Sequence, residues 1–408
     1  MSWPVVPLKR LVSTSRPITY GIVQAGDEVP GGIPYIRPVD MTDSDGVVDD
    51  VLLPRTSYEI AAAYQRSALE PGDLVVSIGP SFGKVMIVPA PLRGANLTQG
   101  TARVAAGSGI NNRFLYWALQ AQTVKAHWGA AVGGATFRAL NLGPLCETPI
   151  SVPPPDEQRR VADFLDDACS RLSMLVAYRG RQDALLAEAE RSSSESHLEV
   201  LLLDAARTRL KYLVRERDDR LLQREAPTLL SVSIHKGVVP RASLTDKEPR
   251  ADDLALYKCC EPEDLVLNRM RAFQGGIGIA PMFGIVSPDY TVMRAGQGVL
   301  PEYLHYLMRS PWFVGQMTRR LRGVGGVDQG NVRTPRVNFA DLGLIRVPSP
   351  SIEAQRVSVH DIRAEANHLQ SLRALVTRQV ERLSEHRVAL ITAAVTGQLD
   401  VTTARGAA

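Results

Sequence analysis

The chain has 408 residues, of which 45% are hydrophobic and 22% charged, the balance of an ordinary globular protein with room for two or three domains. Its net charge of +4 excludes an acidic, solvating chain and is only a mild basic excess. No run of ~18 apolar residues offers a membrane span, and the N-terminus lacks the apolar stretch of a signal peptide.

The charge is uneven. Between Arg309 and Arg346 seven arginines stand against Asp328 and Asp341 alone, a local excess that favours a polyanion, the plainer reading being a solvated face. Of the cysteines, Cys146 and Cys169 stand alone while Cys259 and Cys260 are adjacent. With no C-x-x-C they make neither a metal nor a disulfide framework, and free thiols suit a reducing cytosol, so the expected location is cytoplasmic.

In chain order, residues 1–151 predict a mixed α/β domain of short strands. Asp73-Leu74-Val75-Val76-Ser77-Ile78 and Lys84-Val85-Met86-Ile87-Val88 read as strands, separated by turn signals such as Pro30-Gly31-Gly32 and Pro71-Gly72. Asn112 to His127 carries Leu115, Leu119 and Val124 on one helical face. Residues 152–206 predict a long helix, stopped upstream by Pro153-Pro154-Pro155 and with Asp156 as candidate N-cap. Its expected seam has one row at Leu165, Leu172 and Leu186 and a second at Ala168, Leu175 and Ala189, interrupted by Arg179 and Gln182. Residues 207–349 repeat the mixed pattern, with Asp264-Leu265-Val266-Leu267 and Gly276-Ile277-Gly278-Ile279-Ala280 as strands and Pro301 to Met317 as helix. Residues 350–400 predict a second long helix whose Ile362, Leu369, Val376, Leu383 and Leu390 recur every seven residues, with Leu372 and Val380 on the flanks. Two such helices in one chain are most simply paired antiparallel as a coiled coil; the rival is a helix lying on a domain core. The fold class is therefore α+β, two similar mixed domains separated by two long antiparallel helices.

The chain says the same thing twice. Leu8-Lys9-Arg10-Leu11-Val12 returns as Leu210-Lys211-Tyr212-Leu213-Val214, and Glu70-Pro71-Gly72-Asp73-Leu74-Val75 as Glu261-Pro262-Glu263-Asp264-Leu265-Val266. Arg113-Phe114-Leu115-Tyr116-Trp117-Ala118-Leu119 is echoed by Glu302-Tyr303-Leu304-His305-Tyr306-Leu307-Met308. Val152-Pro153-Pro154-Pro155-Asp156-Glu157-Gln158-Arg159 is answered by Val347-Pro348-Ser349-Pro350-Ser351-Ile352-Glu353-Ala354-Gln355-Arg356. The period is that of a whole domain, far beyond the ~20–50 residues of a solenoid unit. A duplicated surface suits a partner with two similar half-sites.

Strings that resemble catalytic motifs fail on inspection. Gly79-Pro80-Ser81-Phe82-Gly83-Lys84-Val85 is one residue short of a phosphate-cradling loop, and Val85 offers no hydroxyl to a magnesium ion. Ser287-Pro288-Asp289-Tyr290 approaches the signature with which amino-methyltransferases hold a flipped base, but Asp289 stands where proline is needed and no F-x-G-x-G loop precedes it. His360, His368 and His386 share a helix without the i, i+4 spacing of a ligand pair and read as surface or seam residues. The expectation is a binder with no catalytic residue and no metal or cofactor of its own.

A duplicated domain, each copy running into a P-P-x-E-Q-R-like string and a long helix, resembles the specificity subunit of type I restriction–modification enzymes. The likeness rests on the proline–glutamine strings above, on Pro71-Gly72-Asp73-Leu74-Val75, on Gly284-Ile285-Val286-Ser287-Pro288-Asp289-Tyr290, and on the terminal Leu390-Ile391-Thr392-Ala393-Ala394-Val395-Thr396-Gly397-Gln398-Leu399-Asp400-Val401. The resemblance implies that each mixed domain is a target recognition domain for one part of a split double-stranded DNA target. It implies that the helices set the gap and dock two modification subunits, which bind S-adenosylmethionine and methylate adenine, and that restriction subunits join them. The sequence departs from the pattern at Glu353-Ala354-Gln355-Arg356, and at Arg191-Ser192-Ser193-Ser194-Glu195-Ser196-His197, where a copy of the Ala-Val-Thr-Gly ending is expected.

Base and phosphate contacts to DNA call for Arg, Lys, Asn, Gln or hydroxyl side chains on loops. The candidates are Lys84, Thr98, Gln99, Arg103 and Arg138 in the first half, and Lys236, Asn268, Arg269, Arg271, Arg322, Gln329, Asn331 and Arg333 in the second. Gly133-Gly134 and Gly325-Gly326 suit loops passing close to a backbone. Three other readings stay open: a repurposed specificity-like DNA-binding protein without modification partners, a self-sufficient DNA adenine methyltransferase, and a coiled-coil adaptor for proteins alone.

Overall fold

The computed structural model of the chain describes residues 3–42, 52–79, 81–132, 139–220, 228–234, 236–244, 254–321 and 337–404. Two compact units emerge, one of Met1–Gly180 with Thr377–Ala408, the other of Arg181–Val376.

The first unit opens with β1 (Val5–Pro7) and β2 (Thr19–Tyr20), then β3 (Ile33–Ile36), β4 (Arg55–Thr56) and helix α1 (Tyr58–Ala63). There follow β5 (Leu74–Ser77), β6 (Val85–Ile87), β7 (Asn96–Leu97) and β8 (Thr101–Val104). Helices α2 (Asn112–Leu119), α3 (Gln122–Val132) and α4 (Leu142–Cys146) lead to β9 (Pro149–Ser151) and the long helix α5 (Pro155–Asp204). Its central sheet has the order β2-β8-β5-β6, all antiparallel. Strand β5 is buried on both faces, which is why it reads as a continuous apolar run. Leu74 and Val76 face the helices with Phe114, Leu115 and Trp128, while Val75 faces Ile36, Met86 and Leu97 under the small sheet β4-β3-β7. Each such fully buried side chain contributes about 1.5–3 kcal/mol.

The second unit repeats the plan. Its strands are β10 (Arg207–Arg209), β11 (Val214–Arg217), β12 (Leu230–Ser233), β13 (Gly237–Pro240), β14 (Lys258–Cys260), β15 (Leu265–Asn268), β16 (Ile277–Ile279), β17 (Gly284–Val286), β18 (Tyr290–Ala295) and β19 (Arg346–Pro348). Helices α6 (Pro301–Arg309), α7 (Pro311–Leu321) and α8 (Phe339–Gly343) precede β19, and α9 (Ile352–Val395) follows it. From Thr377, within α9, the chain again belongs to the first unit, and it ends there in α10 (Val401–Ala404). The sheet order β11-β18-β15-β16 matches β2-β8-β5-β6, and β10 pairs with β19 as β1 does with β9. Leu265 and Leu267 face the helices, and Val266 faces the opposite core with Leu230 and Val286, the same division as in β5. The duplication read in the sequence is thus a duplication of topology.

Each long helix is locked at its start by a buried glutamine. Gln158 Oε1 accepts from the Asn111 N–H at 2.8 Å while its Nε2 donates to the Gly109 and Pro153 carbonyls. Gln355 Oε1 accepts from the Leu300 N–H at 2.9 Å while its Nε2 donates to Gly298 and Pro350. The inserted Ala354 therefore leaves the glutamine in its role. Asp156, expected as N-cap, lies inside the first turn. Helix α5 starts at Pro155, which has no N–H to leave unsatisfied, and the Pro154 carbonyl accepts from Glu157 and Gln158. In α9 the cap is Ser351, whose Oγ accepts from the Ala354 N–H.

Within each unit the two long helices run antiparallel. In the first, Val161, Leu165 and Cys169 share a core with Ile391, Ala394 and Val395. In the second, Asp183 and Glu190 pair with Arg373, and Ser193 and His197 meet Glu365. The seam of α5 differs from the expected one in its second row. Leu175 is 47% exposed and Ala189 is exposed, whereas Cys169 is buried at 2%. The inward residue after Leu165 comes four positions on rather than three, so this row runs through Cys169, Asp183, Glu190 and His197. In α9 Ile362, Leu369 and Val376 are buried as expected, and His360, His368 and His386 are exposed.

Candidate nucleic-acid interface

Strands β5 and β15 end at equivalent residues, Ser77 and Asn268, and each ties down the loop that follows it. Ser77 Oγ donates to the Ser81 carbonyl at 2.8 Å and accepts from the Lys84 N–H at 2.9 Å. Asn268 Oδ1 accepts from the Met270 and Arg271 N–H groups, and its Nδ2 donates to the Tyr290 hydroxyl at 3.4 Å. Short polar side chains that bond to the next backbone groups favour such turns.

Around Ser77 the first unit gathers three of the expected residues. Ile78 and Gly79 both donate to the Gly100 carbonyl, bringing the loop after β5 against the Thr98-Gln99-Gly100 turn. Thr98 is half-buried, its Oγ1 bonded to the Ile36 carbonyl and the Gly100 N–H. Gln99 is exposed, and among the described residues only its backbone is engaged, its N–H donating to the Ile22 carbonyl. Lys84 spans the same end of the sheet, its Nζ donating to the Met41 carbonyl at 2.7 Å. The loop containing Gly79 and Lys84 joins two antiparallel strands, not a strand to a helix, so it lacks the architecture of a phosphate loop.

Arg103 is elsewhere. It is 3% exposed and lies opposite Val75 in register, on the sheet face turned into the core. Its guanidinium donates to the Arg66, Ala68 and Pro17 carbonyls, at 2.7, 3.0 and 3.2 Å. Burial, reinforced by the nearby Arg16, lowers its pKa. A side chain so committed braces the interior of the sheet. Arg138, Arg322, Gln329, Asn331 and Arg333 lie outside the described residues, as do Gly133-Gly134 and Gly325-Gly326.

In the second unit Asn268 is 8% exposed and both ends of its amide are used by the turn. Arg269 Nε donates to the Val337 carbonyl at 2.9 Å and its Nη2 to Asn338 Oδ1, so it braces the segment entering α8. Arg271 and Lys236 are exposed, and neither side chain makes a hydrogen bond or ion pair among the described residues. Their loops are brought together by Arg309, which the sequence reading did not single out. It donates to the Ile234 carbonyl at 3.0 Å and lies beside Gly275. The β12–β13 hairpin crosses β16 so closely that a Cβ at Gly278 would sit 2.6 Å from the Val238 nitrogen, and glycine is required there. Tyr290 was also passed over as a site residue. The turn of Ser287, whose carbonyl accepts from the Tyr290 N–H, sends it into β18 opposite Asn268. Its hydroxyl lies 3.5 Å from Ser231 Oγ.

The two units thus present, on one scaffold, different polar ends: Gln99, Thr98 and Lys84 in the first, Arg271 and Lys236 in the second. Among the described residues no group of three or more His, Cys, Asp or Glu could hold a metal, and no helix is long and apolar enough to cross a membrane.

Residues 22–174 match the family model described as type I restriction modification DNA specificity domain. The chain is 29% identical over 177 residues, 43% of its length, to the Type I restriction enzyme EcoBI specificity subunit of Escherichia coli. It is 23% identical over 156 residues, 38% of its length, to the Type I restriction enzyme MjaIX specificity subunit of Methanocaldococcus jannaschii. These matches cover 35% and 34% of the two relatives, about a third of each. Among solved structures, a chain from work on complex assembly and conformational transition of the type I R-M system is similar at a TM-score of 0.69. The identity is 16% and 98% of each chain is covered. The HsdS subunit from Thermoanaerobacter tengcongensis is similar at a TM-score of 0.51, with 16% identity over 98% of this chain and 97% of that one. At such identities the structural likeness is one of fold.

Proposed function

We propose that this chain, whose residues 22–174 match the type I restriction modification DNA specificity domain, is the non-catalytic recognition subunit of a DNA-modifying complex. Each unit reads one part of a bipartite double-stranded DNA target, and the long helices set the gap between the parts and dock two modification subunits. Adenine methylation with S-adenosylmethionine is the work of those partners, and restriction subunits join the same assembly in the cytoplasm. The observation that carries this reading is one sheet topology built twice with unlike polar ends. A common scaffold supplies the same approach to DNA, and different loop side chains supply different base preferences.

Of the expected contact residues, Lys84, Thr98, Gln99, Lys236 and Arg271 are the described ones proposed to face DNA. Asn268, Arg269 and Arg309 hold the second set in place. Arg138, Arg322, Gln329, Asn331 and Arg333 stay in the proposal on sequence grounds.

The test is to map N6-methyladenine in DNA from cells expressing the chain with its modification partners, against cells lacking only this chain. A split motif that appears with the chain supports the proposal. Methylation that is unchanged without it, or a chain that purifies with no methyltransferase, overturns it. S-adenosylmethionine binding by the isolated chain would point instead to a self-sufficient methyltransferase.

A further inference from the structure

The buried glutamines make the two units superficially interchangeable. Gln158 and Gln355 dock their helices through the same three hydrogen bonds, so nothing in that contact tells one helix from the other. Apolar packing beside it is non-directional. The charged residues next to the docking point, however, differ in sign. Arg113, second residue of α2, donates through Nε to Asp166 of α5 at 2.6 Å. Glu302, second residue of α6, accepts from Arg363 of α9 at 3.0 Å. Asp166 and Arg363 each stand eight residues beyond their glutamine. The same ion pair is therefore made twice with opposite polarity.

We propose that these pairs form a charge key by which each mixed domain accepts only its own long helix: Arg113 selects Asp166, and Glu302 selects Arg363. In the wrong combination both pairs become like-charged, Glu302 facing Asp166 and Arg113 facing Arg363. The surroundings deepen the discrimination. Asp166 Oδ1 also accepts from the Trp117 Nε1–H at 2.7 Å, and Arg113 lies over the Tyr116 and Trp117 rings. An arginine in place of Asp166 would leave the indole without its acceptor and add to the cation Arg387, whose guanidinium lies 5.7 Å from the Trp117 ring centroid. On the second side, Arg363 stands near His305, itself beside Arg309. All four key residues are partly exposed, with side-chain exposures of 42% and 39% in one pair and 54% and 33% in the other. Exposed pairs contribute little to stability. Their value lies in what they reject, since a duplicated chain must prevent its two similar halves from exchanging partners.

The experiment follows thermal unfolding of the full chain and of its variants Arg113→Glu, Asp166→Arg and the double reversal. Alongside them goes a full-length chimera in which residues 205–349 also replace residues 3–151, placing Glu302 opposite Asp166, with and without Asp166→Arg. Each single reversal is expected to lower the first unit's midpoint by about 2–4 °C, and the double reversal to recover at least half of that loss. In the chimera Asp166→Arg is expected to raise the midpoint, the opposite of its effect in the parent. Losses that simply add in the double variant overturn the key, as does an Asp166→Arg effect of the same sign in both backgrounds. Should neither chimera fold, the double reversal in the parent chain decides alone.

Discussion

Glu263 donates its backbone N–H to the Ala280 carbonyl at 3.0 Å while holding φ at 71°. In the first unit Gly72 makes the same bond to Val88 at 2.9 Å with φ at 90°. The turn before each buried aspartate needs the left-handed region, which glycine adopts freely and glutamate does not. Glu263→Gly should therefore stabilise the second unit, by about 1 kcal/mol after the entropy of the added glycine is counted, and Gly72→Glu should destabilise the first by a similar amount. Urea denaturation of the two variants checks this; equal and opposite changes are expected, and no change in either would mean the turn relaxes.

The glutamine locks should be stronger. Gln158→Ala leaves the Asn111 N–H and two carbonyls without their partner in a site only 1% exposed. A loss of about 2–4 kcal/mol is expected, with a comparable loss for Gln355→Ala. Gln158→Glu keeps the acceptor and loses the donor, so its loss at neutral pH should be at least as large, because the charge is buried.

The proposed DNA surface separates contact from support. Arg271→Ala and Lys236→Ala should each weaken DNA binding by a few fold and each reduce the salt slope by about 1, with unfolding unchanged. Arg269→Ala should lower stability as well, through the Val337 carbonyl it braces. The Arg269→Ala, Arg271→Ala double variant should lose or relax only the second part of the methylated motif. Methylation with an unaltered motif would remove Arg271, and the loop that Arg269 braces, from the interface.

His305 gives the second unit a pH dependence. Its Nδ1 is sealed from solvent without a hydrogen-bond partner among the described residues. Burial, with Arg309 and Arg363 nearby, lowers its pKa to about 4. Because the unfolded chain then takes up the proton first, below the usual histidine value near 6.5, stability should fall as pH drops from about 6.5 towards 4. The loss should reach about 1–3 kcal/mol. His305→Tyr, the residue type at the matching Tyr116, should flatten that part of the profile in pH-dependent denaturation.

Much of the architecture was legible in the residues because it is written in local periods. The repeat of Glu-Pro-x-Asp-Leu-Val announced twin strands, and the sevenfold recurrence of Ile362, Leu369 and Val376 announced a seam, since backbone geometry turns each period into a face. The α5 seam was misread at its second row because alanines and leucines there satisfy either spacing. Only the partner helix shows that Cys169 and Glu190 face inward.

By itself the sequence determined the duplication, the element types and the kinship of the first domain, all properties of residues near one another in the chain. The tertiary structure alone decided which cations are available. Arg103 and Arg271 are the same residue type, the first within strand β8 and the second in the loop after β15. One guanidinium is held by the distant Arg66, Ala68 and Pro17 carbonyls, and the other stands exposed. Whether a charge faces solvent depends on which carbonyls folding brings to it, and no local pattern records that.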